Sequence, residues 1–324
     1  MELWTPAEIP GAIFLDPDDP TTYTVVTGVS EIKDKNTGVA FAIQATTTKQ
    51  PAVISNGLNG RTTFRWDGTD DNMTHALSIT SNDSTIFGVV NRRSGGSSYQ
   101  LVITANGPYV QFKNNLAGLV DSTTYWGSAT SAWFSSGVTL GTDFQMICSI
   151  RTITPSESQK LYTDGALSAT KTSFDTYNDS ADRRYLGADS ETVGLWSGEL
   201  ALLVIVPTVA VDTDVRQRLE GWAAAICGLQ ANLAADHPYK SAAPTINKVS
   251  GIVTVNGSPA ARTVAVFLRS DFTLIGTTTS DETTGAFELN SSLLPDTANA
   301  LLVTAIDSSG TYNAVSVDYI TSVA

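Results

Sequence analysis

The feature that most constrains the fold is a set of two-residue turn signals flanked by segments in which apolar and polar residues alternate. "KLYTDGAL" centres on Asp164-Gly165, and "LVITANGPYVQF" centres on Asn106-Gly107. Such dipeptides favour the tight turns that join antiparallel strands, and the alternation gives each strand one face to bury. The sequence therefore predicts an all-β protein built from antiparallel sheets.

One segment has helical rather than strand periodicity, "VDTDVRQRLEGWAAAICGL" at residues 211–229. Asp212 or Thr213 can cap its start, and Gly228 is placed to end it. An apolar face is expected from four residues at helical spacing: Val215, Leu219, Trp222 and Ile226.

A change of pattern divides the chain. Residues 241–248 combine small residues with a proline and have little periodicity, which is typical of a linker. Beyond them, short strands and an Asn256-Gly257 turn recur at about the 8–12 residue spacing of a small β-sandwich. We therefore expect one domain at 1–240, a linker at 241–248 and a second domain at 249–324.

Charge excludes several classes of partner. The 324 residues include 19 Lys and Arg against 32 Asp and Glu, which makes the formal net charge −13. Such a chain lacks the basic face that nucleic acid requires and is disfavoured at an anionic membrane surface. No apolar stretch approaches the roughly 20 residues that span a bilayer. The opening "MELWTPAEIPG" does not read as a secretory signal, so we expect synthesis in a cytoplasm without export by the ordinary route.

The first part of the chain resembles a known family. "LWTPAEIPGAIFLDPDDPTTYT", "VSEIKDKNTG" and "NGLNGRTTFRWDGTDDNM" follow the order of the opening motifs of laminin-G-like, concanavalin A-like domains of bacteriophage virion proteins. "KLYTDGALS", "RRYLGAD" and the strand–helix ending resemble the closing motifs, so the similarity covers roughly residues 3–240. Phe14, Ile32 and Cys227 stand where this family often has tryptophan. The resemblance implies a concanavalin A-like antiparallel β-sandwich, or jelly roll, with one C-terminal helix.

The C-terminal part resembles a second family. "VSGIVTVNGSPAARTVAVFLRSDFTLIGTTTSDETTGAFEL" is similar to carboxypeptidase-regulatory-like, transthyretin-like domains, which recur at the ends of phage tail and virion proteins. This resemblance implies a small Ig-like or transthyretin-like β-sandwich that serves as a structural or attachment module and carries no chemistry of its own.

Three acids directly after an alternating strand raise the question of a calcium loop. "DGTDDNMTH", with Asp67, Asp70 and Asp71, lacks the ligand spacing and distal carboxylate of such a loop, whereas Asp67-Gly68 is a turn dipeptide. We interpret the segment as a turn and predict no metal, with a metal site as the alternative. Two prolines give "LDPDDP" at 15–20 the same interpretation.

A catalytic set is not evident. Glycoside hydrolysis needs two carboxylates in a cleft, and Glu199 in "WSGELALLVIV" has no acidic partner nearby, so we expect it at the solvent edge of its strand. No nucleophile elbow, phosphate loop or C-x-x-C pair occurs, and Cys148 and Cys227 are expected to be buried apolar residues. His75 lacks enough partners for a zinc site, and His237 is expected to be solvated. We predict no enzyme and no cofactor.

Two groups of residues are candidates for recognition. Residues 121–137 set four aromatic residues among Ser, Thr and Gly, and these could stack on sugars or close the end of the core: Tyr125, Trp126, Trp133 and Phe134. Arg92 and Arg93 form a basic spot on an acidic chain, which either contacts an acidic partner or is only an exposed hairpin end.

These features favour a non-enzymatic structural protein of a bacteriophage virion: a tail fibre or tip protein, a spike, or a head decoration protein. The expected location is the virion, assembled in the host cytoplasm. The expected partners are other virion proteins, a host-surface glycan, and copies of the same chain in a trimer or array. A lectin-like module with a defined sugar site is compatible with this function. The alternative is a polysaccharide-degrading glycoside hydrolase or depolymerase with a jelly-roll fold.

Overall fold

A computed structural model describes residues 3–77, 83–93, 100–101, 111–114, 119–123, 135–139, 142–152, 158–172, 184–188, 190–291, 294, 300–306, 315–320 and 322. Internal contacts divide the chain into two compact units, Ile9–Ala243 and Met1–Glu8 with Pro244–Ala324. The N-terminal residues group with the C-terminal unit, which differs from the expected 1–240 domain. The reason is local pairing: the Trp4 amide donates to the Pro244 carbonyl at 3.0 Å.

The first unit consists mainly of strands. They are β1 (Ile13–Leu15), β2 (Tyr23–Val25), β3 (Val29–Lys33), β4 (Ala40–Ile43), β5 (Ala52–Leu58), β6 (Arg61–Asp67), β7 (Met73–His75), β8 (Ser84–Arg92), β9 (Gln100–Leu101), β10 (Gln111–Asn114), β11 (Leu119–Thr123), β12 (Ser135–Thr139), β13 (Gln145–Thr152), β14 (Ser158–Thr163), β15 (Ala166–Lys171), β16 (Tyr185–Leu186) and β17 (Ser197–Val206). The helix α1 spans Thr213–Cys227, and short 3-10 turns cover Pro20–Thr22, Thr47–Lys49 and Gln230–Asn232.

These strands form antiparallel sheets. The largest sheet has the order β15-β14-β13-β8-β17-β6-β5, with β1 also paired to β17. A five-stranded sheet has the order β16-β7-β4-β3-β2, and a further sheet has the order β12-β11-β10-β9. The prediction of an all-β, jelly-roll-type sandwich with one helix is confirmed.

The first two sheets pack face to face around one apolar core. Its buried members come from both sheets and their connections: Leu15, Val29, Ile32, Phe41, Ala42, Phe64, Trp66, Met73, Ile86, Val90, Ile147, Leu161, Leu186, Trp196, Leu200, Leu203 and Ile205. Trp66 and Trp196 lie with ring centroids 5.1 Å apart at its centre. Burial of apolar surface is the dominant favourable term in folding, and large rings such as these each contribute more buried area than other side chains.

Helix α1 covers the other face of the large sheet. Asp212 caps it by accepting from the Val215 amide at 2.9 Å, and Gly228 ends it with φ of +67°. Trp222 of the helix packs edge-on against Phe14 of β1 with 5.4 Å between ring centroids. Because the large sheet is covered on both faces, β17 is buried along its whole length. The described residues contain no helix long and apolar enough to cross a membrane.

The hairpin predictions are confirmed where the structure describes them. Asp164 and Gly165 have φ of +50° and +81° between β14 and β15, as a two-residue turn of this kind requires. Asn256 and Gly257 form a second turn of this kind, with φ of +52° and +81°. The Asn106-Gly107 turn lies outside the described residues. The prediction that both cysteines are buried and free is also confirmed.

The second unit is a smaller β-structure that begins with a 3-10 turn at Pro6–Glu8. Its strands are β18 (Asn247–Ile252), β19 (Thr254–Val255), β20 (Ser258–Pro259), β21 (Thr263–Leu268), β22 (Leu274–Thr279), β23 (Ala286–Ser291), β24 (Leu301–Ile306) and β25 (Val315–Ile320). They form the pairs β18-β23 and β19-β20 and a sheet in the order β22-β21-β24-β25. The buried core of the unit contains residues from the β18-β23 pair and from the four-stranded sheet: Val249, Val264, Val266, Leu294, Leu301 and Val303.

Candidate functional site

The five-stranded sheet has a solvent-facing side that carries one continuous row of side chains. The strand registers align Thr24, Glu31, Ile43, Thr74 and Tyr185 across the sheet. Residues directly opposite in antiparallel strands project from the same face. Ile43 is 53% exposed, Thr74 is exposed and Tyr185 is half-buried. The row therefore offers apolar and hydroxyl groups, and the carboxylate of Glu31, to a ligand on strands that the core holds in place.

A shallow cleft of about 460 Å³ opens at one end of this row. We call it the β4–β7 cleft, and it is lined by Ala40, Phe41, Ile43, Thr74, His75, Ala76, Arg184 and Tyr185. The Phe41 and His75 rings stack with centroids 5.1 Å apart and planes 16° from parallel. His75 Nδ1 accepts from the Leu77 amide at 3.2 Å, so the ring is held by both contacts.

The lining of the β4–β7 cleft combines side chains that can contact a sugar. Aromatic and apolar groups can pack on the flat face of a sugar ring, while hydroxyl and guanidinium groups can bind its hydroxyls. The described lining contains no carboxylate, and glycosidic cleavage by the usual route needs a pair of them. These residues could hold a sugar ring against the surface of the sheet.

Glu199 is not at the solvent edge of its strand, and that prediction is wrong. The residue is 2% exposed and lies on β17, where its Oε2 accepts from the Thr63 hydroxyl at 2.7 Å. Its Oε1 accepts from Arg65 Nη2 at 2.7 Å and from Arg93 Nη1 at 2.9 Å. Thr63 and Arg65 lie on the neighbouring strand β6, and Arg93 directly follows the other neighbour, β8. The fold therefore compensates the charge of Glu199 with residues that are far from it in the sequence.

This cluster also places the two arginines that were candidates for a partner contact. Arg92 ends β8 and is half-buried, and Arg93 follows it with a side chain 48% exposed. Arg93 Nη1 already donates a hydrogen bond to Glu199 of the same chain. A contact between either arginine and an acidic partner stays a prediction.

The aspartates after β6 form the predicted turn. Asp67 Oδ1 accepts from the Thr69 amide at 2.7 Å, and Asp71 Oδ2 accepts from the Asp67 amide at 2.9 Å. The carboxylates of Asp67, Asp70 and Asp71 offer oxygens within 4.8 Å of one another, and these are the side chains that could hold a cation here. Hydrogen bonds within the turn account for the positions of the Asp67 and Asp71 carboxylates.

Burial raises the pKa of Asp71 to about 7; the Asp67 amide opposes that shift, and the charges of Asp67 and Asp70 add to it. A carboxyl whose folded pKa exceeds its unfolded value of about 3.9 stabilises the fold most below that lower value. The contribution is lost as the pH rises through about 7.

We therefore expect Asp71→Asn to raise the free energy of unfolding by about 2 kcal/mol at pH 8 and much less at pH 4.5. Urea unfolding at both pH values in EDTA measures the difference. The matched control is Asp143→Asn, an exposed acid of the same unit, which should change neither value by more than about 0.5 kcal/mol. An equal effect of Asp71→Asn at the two pH values would contradict the raised pKa of Asp71 in the folded chain.

The "LDPDDP" segment is also a turn, and its first acid is buried. Asp16 pairs with Arg61 at 2.7 Å and with Lys35 at 2.8 Å, and Asp18 accepts from the Thr62 amide at 2.8 Å. These contacts attach the segment to β6. The acids here pair with cations of the chain itself.

His237 is buried rather than solvated, so that prediction is wrong. Its Nε2 lies 3.1 Å from Glu220 Oε2, which also pairs with Arg216 one helical turn earlier. The Arg216 guanidinium lies over the Tyr162 ring, 4.0 Å from its centroid. The small residues and the proline around His237 predicted a solvated loop, but the segment after α1 folds back and packs against the helix through His237 and Tyr239. The available sequence signal was the pair Arg216 and Glu220, which lie four residues apart in the predicted helix and therefore form a polar site that His237 can join.

The aromatic residues Tyr125, Trp126, Trp133 and Phe134 lie outside the described residues. Their proposed contact with a ligand stays a prediction. The row on the five-stranded sheet was missed because its members come from segments that are far apart in the sequence and carry no motif.

Comparison with known proteins found distant structural likenesses. Domain 4 of the GH43 arabinanase AbnA from Geobacillus stearothermophilus, in complex with arabinotriose, is 14% identical; the match covers 51% of this chain and 78% of that one, with a TM-score of 0.36. The binding domain of Paraclostridial Mosquitocidal Protein 1 is 9% identical, with 95% and 72% covered and a TM-score of 0.46. The Caenorhabditis elegans galectin LEC-6 is 11% identical, with 44% and 95% covered and a TM-score of 0.29.

With TM-scores below 0.5, these likenesses carry no argument about ligand or activity. No protein-family model matches the chain, and no curated protein matches it. The all-β sandwich and the geometry of the β4–β7 cleft are therefore the observations on which a function has to be argued.

Proposed function

We propose that this chain is a non-enzymatic attachment protein of a bacteriophage virion, and that its first unit binds a host-surface glycan in the β4–β7 cleft. The observation that carries the glycan proposal is the exposed row ending in Tyr185, beside a cleft of about 460 Å³. An open cleft on a rigid sheet, lined by aromatic, apolar and hydroxyl groups, fits a sugar chain that passes across the surface.

The assignment to a virion is supported by sequence. The ordered motifs from "LWTPAEIPG" to "FRWDGTDDNM", followed by a carboxypeptidase-regulatory-like module, resemble a combination that is common in tail and virion proteins. In such an arrangement one module holds the particle and the other reaches the host. Other virion proteins are then the second class of partner. Immunogold labelling of purified particles with an antibody against this chain tests the location.

Absence of catalysis is supported by the placement of Glu199, the buried acid of the central strand. It is 2% exposed, and both of its carboxylate oxygens accept hydrogen bonds from the chain itself, from Thr63, Arg65 and Arg93. A general acid must lie within hydrogen-bond reach of the substrate atom that it protonates, and Glu199 does not face an open cleft.

One observation favours the alternative, a polysaccharide-degrading hydrolase. Burial raises the pKa of Asp71 to about 7, and its carboxyl lies beside those of Asp67 and Asp70; neighbouring carboxyls, one of them with a raised pKa, are a pattern found in glycosidases. Reducing-sugar release from host polysaccharide tests this alternative. Release by the unchanged chain that Asp71→Asn abolishes would replace the binding proposal.

For the binding proposal we expect Tyr185→Ala to weaken glycan binding about tenfold, because a ring lost from a sugar-binding surface removes about 1.4 kcal/mol. A glycan array identifies the ligand, and calorimetry with that ligand measures the two dissociation constants. Leu167→Ala is the control, since Leu167 is 55% exposed on β15 and is not among the residues of the cleft. Equal weakening by both variants, or by neither, would argue against the β4–β7 cleft.

A further inference from the structure

The second unit has a groove where two consecutive strands separate. β22 and β23 follow each other along the chain, but β22 pairs with β21 whereas β23 pairs with β18. A groove of about 720 Å³ opens at this separation, and we call it the β22–β23 groove. Its lining comes from β18, β22, β23 and the turn after β22: Ser250, Gly251, Ile252, Thr278, Thr279, Asp281, Ala286, Phe287 and Glu288.

One acid of the groove has a carboxylate that its own turn holds in place. Asp281 Oδ1 accepts from the Thr284 amide at 2.7 Å, from the Thr284 hydroxyl at 2.9 Å and from the Thr283 amide at 2.9 Å. The hydrogen bond from the Thr284 amide does most to lower the pKa of Asp281, so the carboxylate is ionised at neutral pH. The other oxygen, Oδ2, is left for a ligand.

The second acid of the groove is also held in place. Glu288 Oε2 lies 3.0 Å from Lys248 Nζ, and Glu288 Oε1 accepts from Asn290 Nδ2 at 3.1 Å, while the side chain stays 47% exposed. None of the nine lining residues is basic. Because Asp281, Glu282 and Glu288 outnumber Lys248, the groove and its rim carry a net negative charge.

The strand register sets the spacing of the two acids. The Asp281 amide donates to the Ala286 carbonyl at 2.8 Å, and Glu288 lies two residues further along β23. Diagonal neighbours of this kind on adjacent strands are about 7–8 Å apart. Alternate side chains of an extended chain lie on one side of it, about 6.6 Å apart. The two carboxylates therefore match cationic groups at positions i and i+2 of an extended segment.

An apolar strip lies beside the acids. Ile252 is 70% exposed and pairs with Ala286 across β18 and β23, so the two side chains project on the same face as Glu288. The long stems of lysine and arginine pack on apolar groups while their charged ends stay in water or meet a carboxylate. The strip thus provides a place for the stems of the side chains that the acids would bind.

Other ligands fit this groove less well. Among the described residues, three acids close enough to share a metal ion occur only at Asp67, Asp70 and Asp71, in the first unit. An anionic ligand would meet the charge of the two lining carboxylates. The net charge of −13 opposes a second copy of this chain, whereas the same charge attracts a basic partner over a distance.

We propose that the β22–β23 groove binds an extended basic segment of another protein, whose cationic side chains at alternate positions pair with Asp281 and Glu288. Charge-assisted hydrogen bonds to two carboxylates that are already held in place provide the selectivity. The spacing of the acids distinguishes this segment from a basic one with a different pattern. The groove lies in the second unit, and the proposal does not depend on glycan binding in the β4–β7 cleft.

Two blocked pentapeptides of threonine and lysine test the spacing on the full-length chain. One has lysine at its second and fourth positions and the other at its second and third, so their charge and composition are equal. In an NMR titration at low ionic strength, the alternating peptide should shift the amides of Ile252, Asp281 and Glu288. It should bind roughly threefold more tightly than the other, because adjacent side chains of an extended chain point to opposite sides.

Glu288→Gln tests the site itself and should weaken the alternating peptide roughly threefold. Both Glu288 and Glu282 are exposed, so the fold should tolerate either change. Glu282→Gln is the matched control, because it removes the same charge from a residue that is not among the lining and should change binding much less. Equal binding of the two peptides, or equal weakening by the two variants, would overturn the proposal. So would shifts that are no larger at the groove than at the acids of the first unit.

Discussion

Replacing Arg65 and Arg93 together by methionine should lower the free energy of unfolding by about 3 kcal/mol at pH 7. Glu199 is 2% exposed, and the double replacement removes the donors to its Oε1 and leaves only the Thr63 hydroxyl on Oε2. A buried charge stripped of its partners costs about 3–5 kcal/mol. We expect the lower end, because both arginines are partly exposed and water can take their place.

Adding Glu199→Leu to that double variant should recover most of the loss, because it removes the stranded charge and leaves an apolar group in its place. Urea unfolding of the double and triple variants measures both values. A triple variant no more stable than the double one would show that the arginines act through packing, and that Glu199 carries no uncompensated charge in their absence.

Gly187→Ala should destabilise the first unit by about 3 kcal/mol. Gly187 has φ of +85°, and a Cβ there would lie 2.2 Å from Nε1 of Trp66, which is fully buried. Holding an alanine at this positive φ costs of order 1 kcal/mol of unfolding free energy, and displacing the packed indole of Trp66 adds about 1–3 kcal/mol. Thermal or urea unfolding measures the sum.

Gly60→Ala separates the two terms. Gly60 has φ of +89°, and nothing lies within 4 Å of a Cβ built on it. It should therefore show the backbone term alone, about 1 kcal/mol. Equal losses for Gly187→Ala and Gly60→Ala would contradict the tight packing of Trp66 against Gly187.

The parts of the fold that sequence predicted depend on neighbouring residues. Asp164-Gly165 forms its turn because the dipeptide itself tolerates positive φ, and Asp212 and Gly228 delimit α1 through contacts within one helical turn. Asn59-Gly60 has the same conformation between β5 and β6, and the same rule would have found it. Local chemistry therefore determined where these elements begin and end.

The missed features depend on residues far apart in the chain. Glu199 and Arg65 are separated by 134 positions, so nothing near Glu199 indicates that its charge is compensated. The row from Ile43 through Thr74 to Tyr185 exists only because three strands become neighbours. Residues that meet on a sheet surface from different strands do not recur at a fixed sequence spacing. The candidate site could therefore be recognised only from the strand registers.

Chemical-shift mapping of the glycan complex examines the proposed binding surface. With the ligand from the array titrated into the isotope-labelled chain, the largest shifts should fall on Ile43, Thr74 and Tyr185, and residues of the second unit should not move. Shifts centred instead on Asp67, Asp70 and Asp71, together with release of cleaved sugar in the sample, would show that the chain is an enzyme and that the β4–β7 cleft is not its site.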